Sequence, residues 1–197
     1  MSRLLILLFW ALLIAASAES PAQEKKTVKV VFTSLAWNSE IPFRAALARG
    51  FFKSQGLEIQ PIFVWGGPVA MAAMVSGEVD FGQIGGAQAV MRSRARGLDV
   101  SIIGSISNAT NYQLVGNKSI RALEDLKGKI LGVTGAGAFS DFAMRTFLRR
   151  KGIDPEKDVT LRAIGGSALR AGALERGIVA AAPFAPEDTV KIGRAHV

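Results

Sequence analysis

Cysteine is absent from the 197 residues, and histidine occurs once, at His196. The first absence excludes disulfides, thiolate nucleophiles, cysteine-based metal sites and cysteine lipidation. The second leaves almost no imidazole, so the usual thiol and imidazole bases of an active site are missing. Zinc ligands are not available in useful numbers, and no metal or cofactor is expected. No carboxylate pair stands at helical spacing on a glycine-rich edge, so no catalytic residues are assigned and the chain is not expected to be an enzyme. Long basic runs are also missing. The 24 Lys and Arg against 16 Asp and Glu give a formal charge of +8, but no run reaches five residues. The densest clusters, Arg92 to Arg96 and Arg149 to Lys151, fall at the ends of expected helices, where cations complement the macrodipole. They read as solvated helix ends, with a polyanion site as the alternative, and no nucleic-acid partner is expected. What is present is a globular composition, 49% apolar and 20% charged.

Both ends of the chain stand apart from the middle. Arg3 precedes an apolar run from Leu4 to Ala16, then the small-x-small site Ala16-Ser17-Ala18 and a polar stretch to Lys26. This is the pattern of a secretory signal over residues 1–18, too short to span a bilayer as a helix. The mature chain is expected to act outside the cytoplasm, in the periplasm or extracellularly, with an uncleaved anchor as the alternative. At the other end, Ile192-Gly193-Arg194-Ala195-His196-Val197 resembles the translation of a common sequencing adapter. Native sequence is then expected to end near Lys191, in mid-domain and without a closing strand, and His196 drops out of any mechanism.

From Thr27 onward β-strand and helix signals alternate. Expected strands are Val28 to Phe32, Leu57 to Val64, Val79 to Ile84 and Val100 to Ile106. Expected helices are Pro42 to Gln55, with Phe43, Ala46, Leu47 and Phe51 on one face, Gly66 to Ser76, and Gly85 to Arg96. Residues 107–116 read as a polar crossover with a short strand from Tyr112. The βα units then resume: a helical turn at Leu123 to Lys127, strands at Ile130 to Thr134 and Val159 to Ala163, and helices at Ser140 to Lys151 and Ser167 to Arg176. This alternation predicts an α/β fold of parallel-rich sheets flanked by helices. Two lobes are expected, 27–107 and 108–191, with one continuous sheet and a long loop as the alternative.

Each βα unit sets a strand's carboxyl end beside a helix N-terminus, whose unpaired N–H groups favour anions and polar acceptors. Glycine there admits close approach of a ligand to the backbone. Four such places supply the candidate ligand contacts: Ser34, Trp37 and Asn38 after the first strand; Trp65 and Gly67 after the second; Gly86 and Gln88 after the third; and Thr134, Gly137, Ser140 and Asp141 in the second lobe. In a doubly wound lobe these ends converge on one edge, and two facing lobes close on a small molecule by a hinge. Other readings stand beside these. Trp37 is either a stacking wall or a buried loop anchor, and Trp65 either a ligand wall or a packing residue. Ser140 and Asp141 are helix caps or ligand contacts, and Asp141 disfavours an anion unless it points away. The glycines around Gly135 and Gly137 form a ligand-lining or a plain tight turn, since their spacing is not a dinucleotide fingerprint. Asn108-Ala109-Thr110 is a chance glycosylation sequon.

Three segments carry a family resemblance. They are Ile41 to Phe52, ending Gly50-Phe51-Phe52; Gly77-Glu78-Val79-Asp80-Phe81-Gly82; and Leu123 to Val133, which contains Asp125-Leu126-Lys127-Gly128-Lys129. In order and spacing they resemble the type 2 periplasmic binding proteins, in particular the nitrate/sulfonate/taurine and THI5-like group. The resemblance spans nearly all of residues 27–191. It implies an incomplete two-lobed fold with ligand in the cleft, because family members return from lobe two to complete lobe one. It further implies a solute-binding component of an ABC-type importer for a sulfonate, nitrate, taurine or pyrimidine-precursor type of ligand. The partners implied are a small molecule and a membrane permease, and the complete protein is expected to be a monomer. A sensory ligand-binding domain is one rival reading. A THI5-like enzyme is another, and it is disfavoured because that chemistry consumes a histidine.

Overall fold

The structure, a computed structural model, describes residues 26–33, 37–107 and 109–189, with the backbone alone at 37–39. The expected signal, the adapter-like tail, Ser34 and Asn108 lie outside the described residues.

Two separate sheets form. In the first, strand β1 (Lys26–Phe32) lies between β2 (Leu57–Phe63) and β3 (Phe81–Gln83), parallel to both. β1 is β-branched and central, so both of its faces are covered. Val28, Val30 and Phe32 pack with Phe43, Leu57 and Ile59 on one side, while Val31 packs with Ala70 and Val79 on the other. The helices of this half are α1 (Trp37–Ala48), α2 (Phe51–Ser54), α3 (Gly67–Val75) and α4 (Gln88–Ala95).

The expected helix over 42–55 is thus two pieces. α1 starts five residues earlier and carries Pro42 inside it. It stops before Gly50, whose φ of 70° lies in the left-handed region that only glycine enters readily. The break re-aims the next helical turn: Phe52, not Phe51, packs against Phe43, the rings tilted at 45° with centroids 5.3 Å apart, and Phe51 is left exposed. The expected strand over Val100 to Ile106 does not form, because among the described residues no strand pairs with it. Val100 packs beside Met71 and Ala89, but Ile102, Ile103 and Ile106 are exposed.

The second sheet has the order β4-β7-β5-β6, from strands β4 (Gln113–Gly116), β5 (Ile130–Val133), β6 (Thr160–Ala163) and β7 (Ala181–Phe184). β5 is parallel to β6 and β7, and β4 is antiparallel to β7. Helix α5 (Phe139–Arg150) covers one face, where Met144 and Leu148 meet Leu131, Val133 and Ala181. Helix α6 (Ser167–Glu175) covers the other, where Ala173 and Leu174 meet Val179, Ala182 and Phe184. Successive residues 181 and 182 thus point to opposite faces, as the strand period requires. The expectation that no closing strand precedes Lys191 is corrected here: β7 is the buried second strand of this sheet. Its sequence, Ala-Ala-Pro-Phe, carries no β-branched residue and no alternation, and all four residues are buried.

The basic clusters find acids at the surface. Arg149 bonds Glu156 at 2.9 Å, and Arg94 meets Asp99 at 3.3 Å. Exposed pairs of this kind contribute little to stability.

Candidate functional site

The carboxyl ends of the two sheets face each other, and the contact between them is made by glycines and aromatic rings. At Gly86, after β3, a Cβ would collide with the Phe139 ring at the start of α5. At Gly166, after β6, a Cβ would collide with the Trp65 indole, which follows β2. The two contacts are reciprocal: each half sends one aromatic side chain onto a bare glycine of the other. Gly86 has φ 86°, so glycine is required there twice over, for conformation and for space. A Cβ at Gly66 would lie 3.7 Å from Ala138 Cβ, and one at Gly137 would lie 3.5 Å from Pro68 Cγ and 3.4 Å from Arg92 Nη1. Tyr112 closes the side of this seam, its ring 5.4 Å from that of Phe139.

Polar groups at the seam are mostly engaged. Gln88 is buried in the first turn of α4. Its amide donates to the Gly86 carbonyl and accepts from the Phe139 N–H, both at 3.2 Å, in the orientation that satisfies both partners. That N–H is one of the orphan donors of α5, so one half of the molecule caps a helix of the other. Thr33 Oγ1 accepts from the Gly85 N–H at 2.9 Å. In the second half, Ser140 Oγ accepts from the Thr134 N–H at 2.8 Å, and Asp141 accepts from the Gly137 N–H at 2.9 Å and from Arg145 Nε at 2.8 Å. Ser140 and Asp141 are both buried. Burial opposes the charge on Arg145, but its bonds to Glu156 and Asp141 prevail and hold its pKa above the ordinary value.

Of the sequence-selected residues, Trp65, Gly86, Gln88 and Gly137 come together along the seam, and Thr134, just after β5, is bonded within its own half. Ser140 and Asp141 sit just beneath the seam, bonded within their own half. Gly67 is placed differently: a Cβ there would lie 3.2 Å from Ala89 Cβ and from Ile84 Cγ2, so it permits close packing of α3 inside the first half. Trp37 and Asn38 form the first turn of α1 at the carboxyl end of β1. Ser34 lies outside the described residues.

Sequence reasoning missed Phe139, Tyr112 and Arg170. Arg170 is 4% exposed in the first turn of α6. Its Nη1 donates to Thr134 Oγ1 and to the Gly165 carbonyl, both at 2.7 Å, and its Nη2 donates to the Pro183 carbonyl at 3.1 Å. The guanidinium lies 5.4 Å from the Phe184 ring centroid, a cation–π distance. Burial pushes its pKa down from the ordinary arginine value. Burial likewise raises the Tyr112 phenol, against the opposing pull of Arg170. The one signal for Arg170 in the sequence is a lone charge inside Ala168-Leu169-Arg170-Ala171, on an otherwise apolar stretch of helix.

Among the described residues no three His, Cys, Asp or Glu side chains gather as a metal site. No described helix is long and apolar enough to cross a membrane.

Two α/β halves that meet through the carboxyl ends of their strands define the class: this is the periplasmic-binding-protein fold. The family model described as NMT1/THI5 like matches residues 37–194, and the chain belongs to that family. A solved protein of Bordetella bronchiseptica RB50 superposes with a TM-score of 0.74 at 23% identity, over 87% of this chain and 55% of that one. The periplasmic aliphatic sulphonate binding protein SsuA of Escherichia coli superposes with a TM-score of 0.60 at 19% identity, over 83% of this chain and 55% of its own. YtlA of Bacillus subtilis, which carries a provisional name as a binding protein, is 26% identical over 124 residues, 61% of this chain and 37% of that protein. The chain therefore spans about half the length of the solved relatives, and less of the curated one.

Proposed function

We propose that the chain is the ligand-capturing part of a solute-binding protein that serves an ABC-type importer outside the cytoplasm. The observation that carries this reading is the seam itself. Two α/β halves meet through strand carboxyl ends and helix N-termini, with exchanged aromatic rings and glycines in place of a continuous core. Such a seam opens by hinge motion and admits a small molecule against backbone N–H groups and ring faces. The lobes are 27–107 and 108–191, and the contacts come from Ser34, Trp37, Asn38, Trp65, Gly86, Gln88, Thr134 and Gly137. Family membership and the SsuA likeness favour a small organic molecule or oxyanion of the sulfonate, nitrate, taurine or pyrimidine-precursor type. The partners are that ligand and a membrane permease, and the complete protein acts as a monomer.

Reversible binding is favoured over bond chemistry because Thr134, Ser140 and Asp141 are each bonded to backbone or to arginine. A thermal-shift panel of sulfonates, pyrimidines, amino acids and carboxylates tests the reading. A ligand present at about 100 times its Kd adds about 2.7 kcal/mol to stability, which is a rise of several degrees. Flat melting temperatures across the panel would refute it.

A further inference from the structure

Two buried atoms of opposite need stand unpartnered at the base of the seam. Arg170 Nε is a donor without an acceptor, and Glu187 Oε1 is an acceptor without a donor. Buried polar groups are normally paired, so an orphan of each kind in one region calls for a reason. Arg170 is fixed in place, because its other nitrogens donate to Thr134 Oγ1 and to the Gly165 and Pro183 carbonyls. Glu187 is placed by the sheet. β4 pairs antiparallel with β7, Gln113 opposite Phe184, so the chain entering β4 and the chain leaving β7 run side by side. Tyr112 precedes β4, and Glu187 and Asp188 follow β7. These side chains stand on the two segments that a hinge between the halves bends. Tyr112 links the two orphans. Arg170, Asp188 and Glu187 all act electrostatically on its phenol, whereas the charges that act on Arg170 are Tyr112 and Asp188. Asp188 offsets the arginine's charge, and the open need is that of the Nε atom. The Tyr112 ring also lies 5.4 Å from the Phe139 ring, which covers Gly86 of the first half. The seat of the Tyr112 ring is therefore part of the closed seam.

We propose that Tyr112, Arg170 and Glu187 form a hinge switch: in the closed form the Tyr112 ring keeps Glu187 from Arg170, and on opening it withdraws, so that Glu187 accepts from Arg170 Nε and stabilises the open form. The inference rests on the reading of the seam as a hinged, solute-capturing cleft and adds what holds that cleft open. Tyr112 is a positioning residue here, acting through the pairing of the other two. A hydrogen bond between charged groups shifts such an equilibrium by roughly tenfold or more.

The test is double electron–electron resonance between spin labels at Gln55→Cys and Lys151→Cys, exposed positions on the two halves. The chain has no cysteine, so the two labels are unique. Protein that is otherwise wild type is expected to show a short and a long distance, for the closed and open forms. Glu187→Met, which removes the acceptor, is expected to lower the ratio of long to short about tenfold. Glu187→Gln, which keeps an uncharged acceptor, is expected to lower it less. Tyr112→Leu is expected to raise the ratio about tenfold while Glu187 is present, and to raise it little in the Glu187→Met background. If Tyr112→Leu does not fold, the two substitutions at the half-buried Glu187 carry the test. A ratio unmoved by Glu187→Met would overturn the switch while the hinged cleft stands. So would an equal effect of Tyr112→Leu in both backgrounds, since a ring that only packs loosens the seam with or without Glu187. One unchanged distance in the wild type and in every variant counts against the hinged cleft itself, and the switch falls with it.

Discussion

Asp141 shows how a single side chain changes meaning once its partners are known. In the sequence it is an acid beside a glycine-rich helix start, and it argues against an anionic ligand. In the fold its two oxygens are taken by the Gly137 N–H and by Arg145, so it faces inward as a cap and its charge is matched. Tyr112 carries the clearest residue-level prediction. Burial raises its pKa above 10.0, so folding favours the neutral phenol. The stability linked to that preference is present below pH 10 and is lost as pH rises through the folded pKa. Tyr112 is the only tyrosine in the chain, so phenolate absorbance near 295 nm reports it alone. The folded protein should titrate with a midpoint above 10.0 and the denatured protein near 10.0. Tyr112→Phe should melt at a higher temperature than wild type in alkali, and an unshifted midpoint would refute the burial argument.

At the scale of elements, the reciprocal ring-on-glycine contacts join the two sheets. Gly166 is the cleaner position to test, because its φ of −63° is open to any residue. The nearest atoms to an alanine Cβ there all belong to the Trp65 ring, whereas alanine at Gly86 meets Phe139, Gln88 and an unfavourable φ. Gly166→Ala should therefore leave the circular dichroism spectrum unchanged and hold the halves apart. Small-angle scattering should give a larger radius of gyration, and affinity for any ligand of the closed form should fall about tenfold, the effect of about 1.4 kcal/mol. An unchanged radius and affinity would mean that the contact does not govern closure. The same scale explains two misread segments. Val100 to Ile106 has a strand's composition and forms none, while Ala181 to Phe184 lacks that composition and forms a buried strand. Strand formation follows the availability of a partner edge more than intrinsic preference.

For the whole molecule, the unpaired segment leaves apolar surface in water: Ile103 is 82% exposed, and Ile102 and Ile106 are exposed beside it. Contiguous exposed apolar side chains on a segment outside any sheet favour self-association. Ile103→Lys should raise the monomer fraction in sedimentation velocity at equal concentration. It should change unfolding stability by less than about 0.5 kcal/mol, as expected for a surface position. Equal self-association of the two proteins would place the sticky surface elsewhere.

The order of βα units, the glycine-rich strand ends and the family motifs were legible in the sequence, because they depend on local periodicity and on backbone positions that only glycine fills. Four of the candidate residues, Trp65, Gly86, Gln88 and Gly137, come together along the seam, where strand ends meet helix starts. The tertiary structure decided the rest. It turned Gly67 into a packing residue and set Ser140 and Asp141 to internal bonds. It also made β7 a buried strand and left Val100 to Ile106 unpaired. Above all it placed Arg170, unremarkable in a run of Ala and Leu, beneath three strand ends. Burial, charge balance and strand pairing depend on which distant residues meet, and local sequence does not encode that.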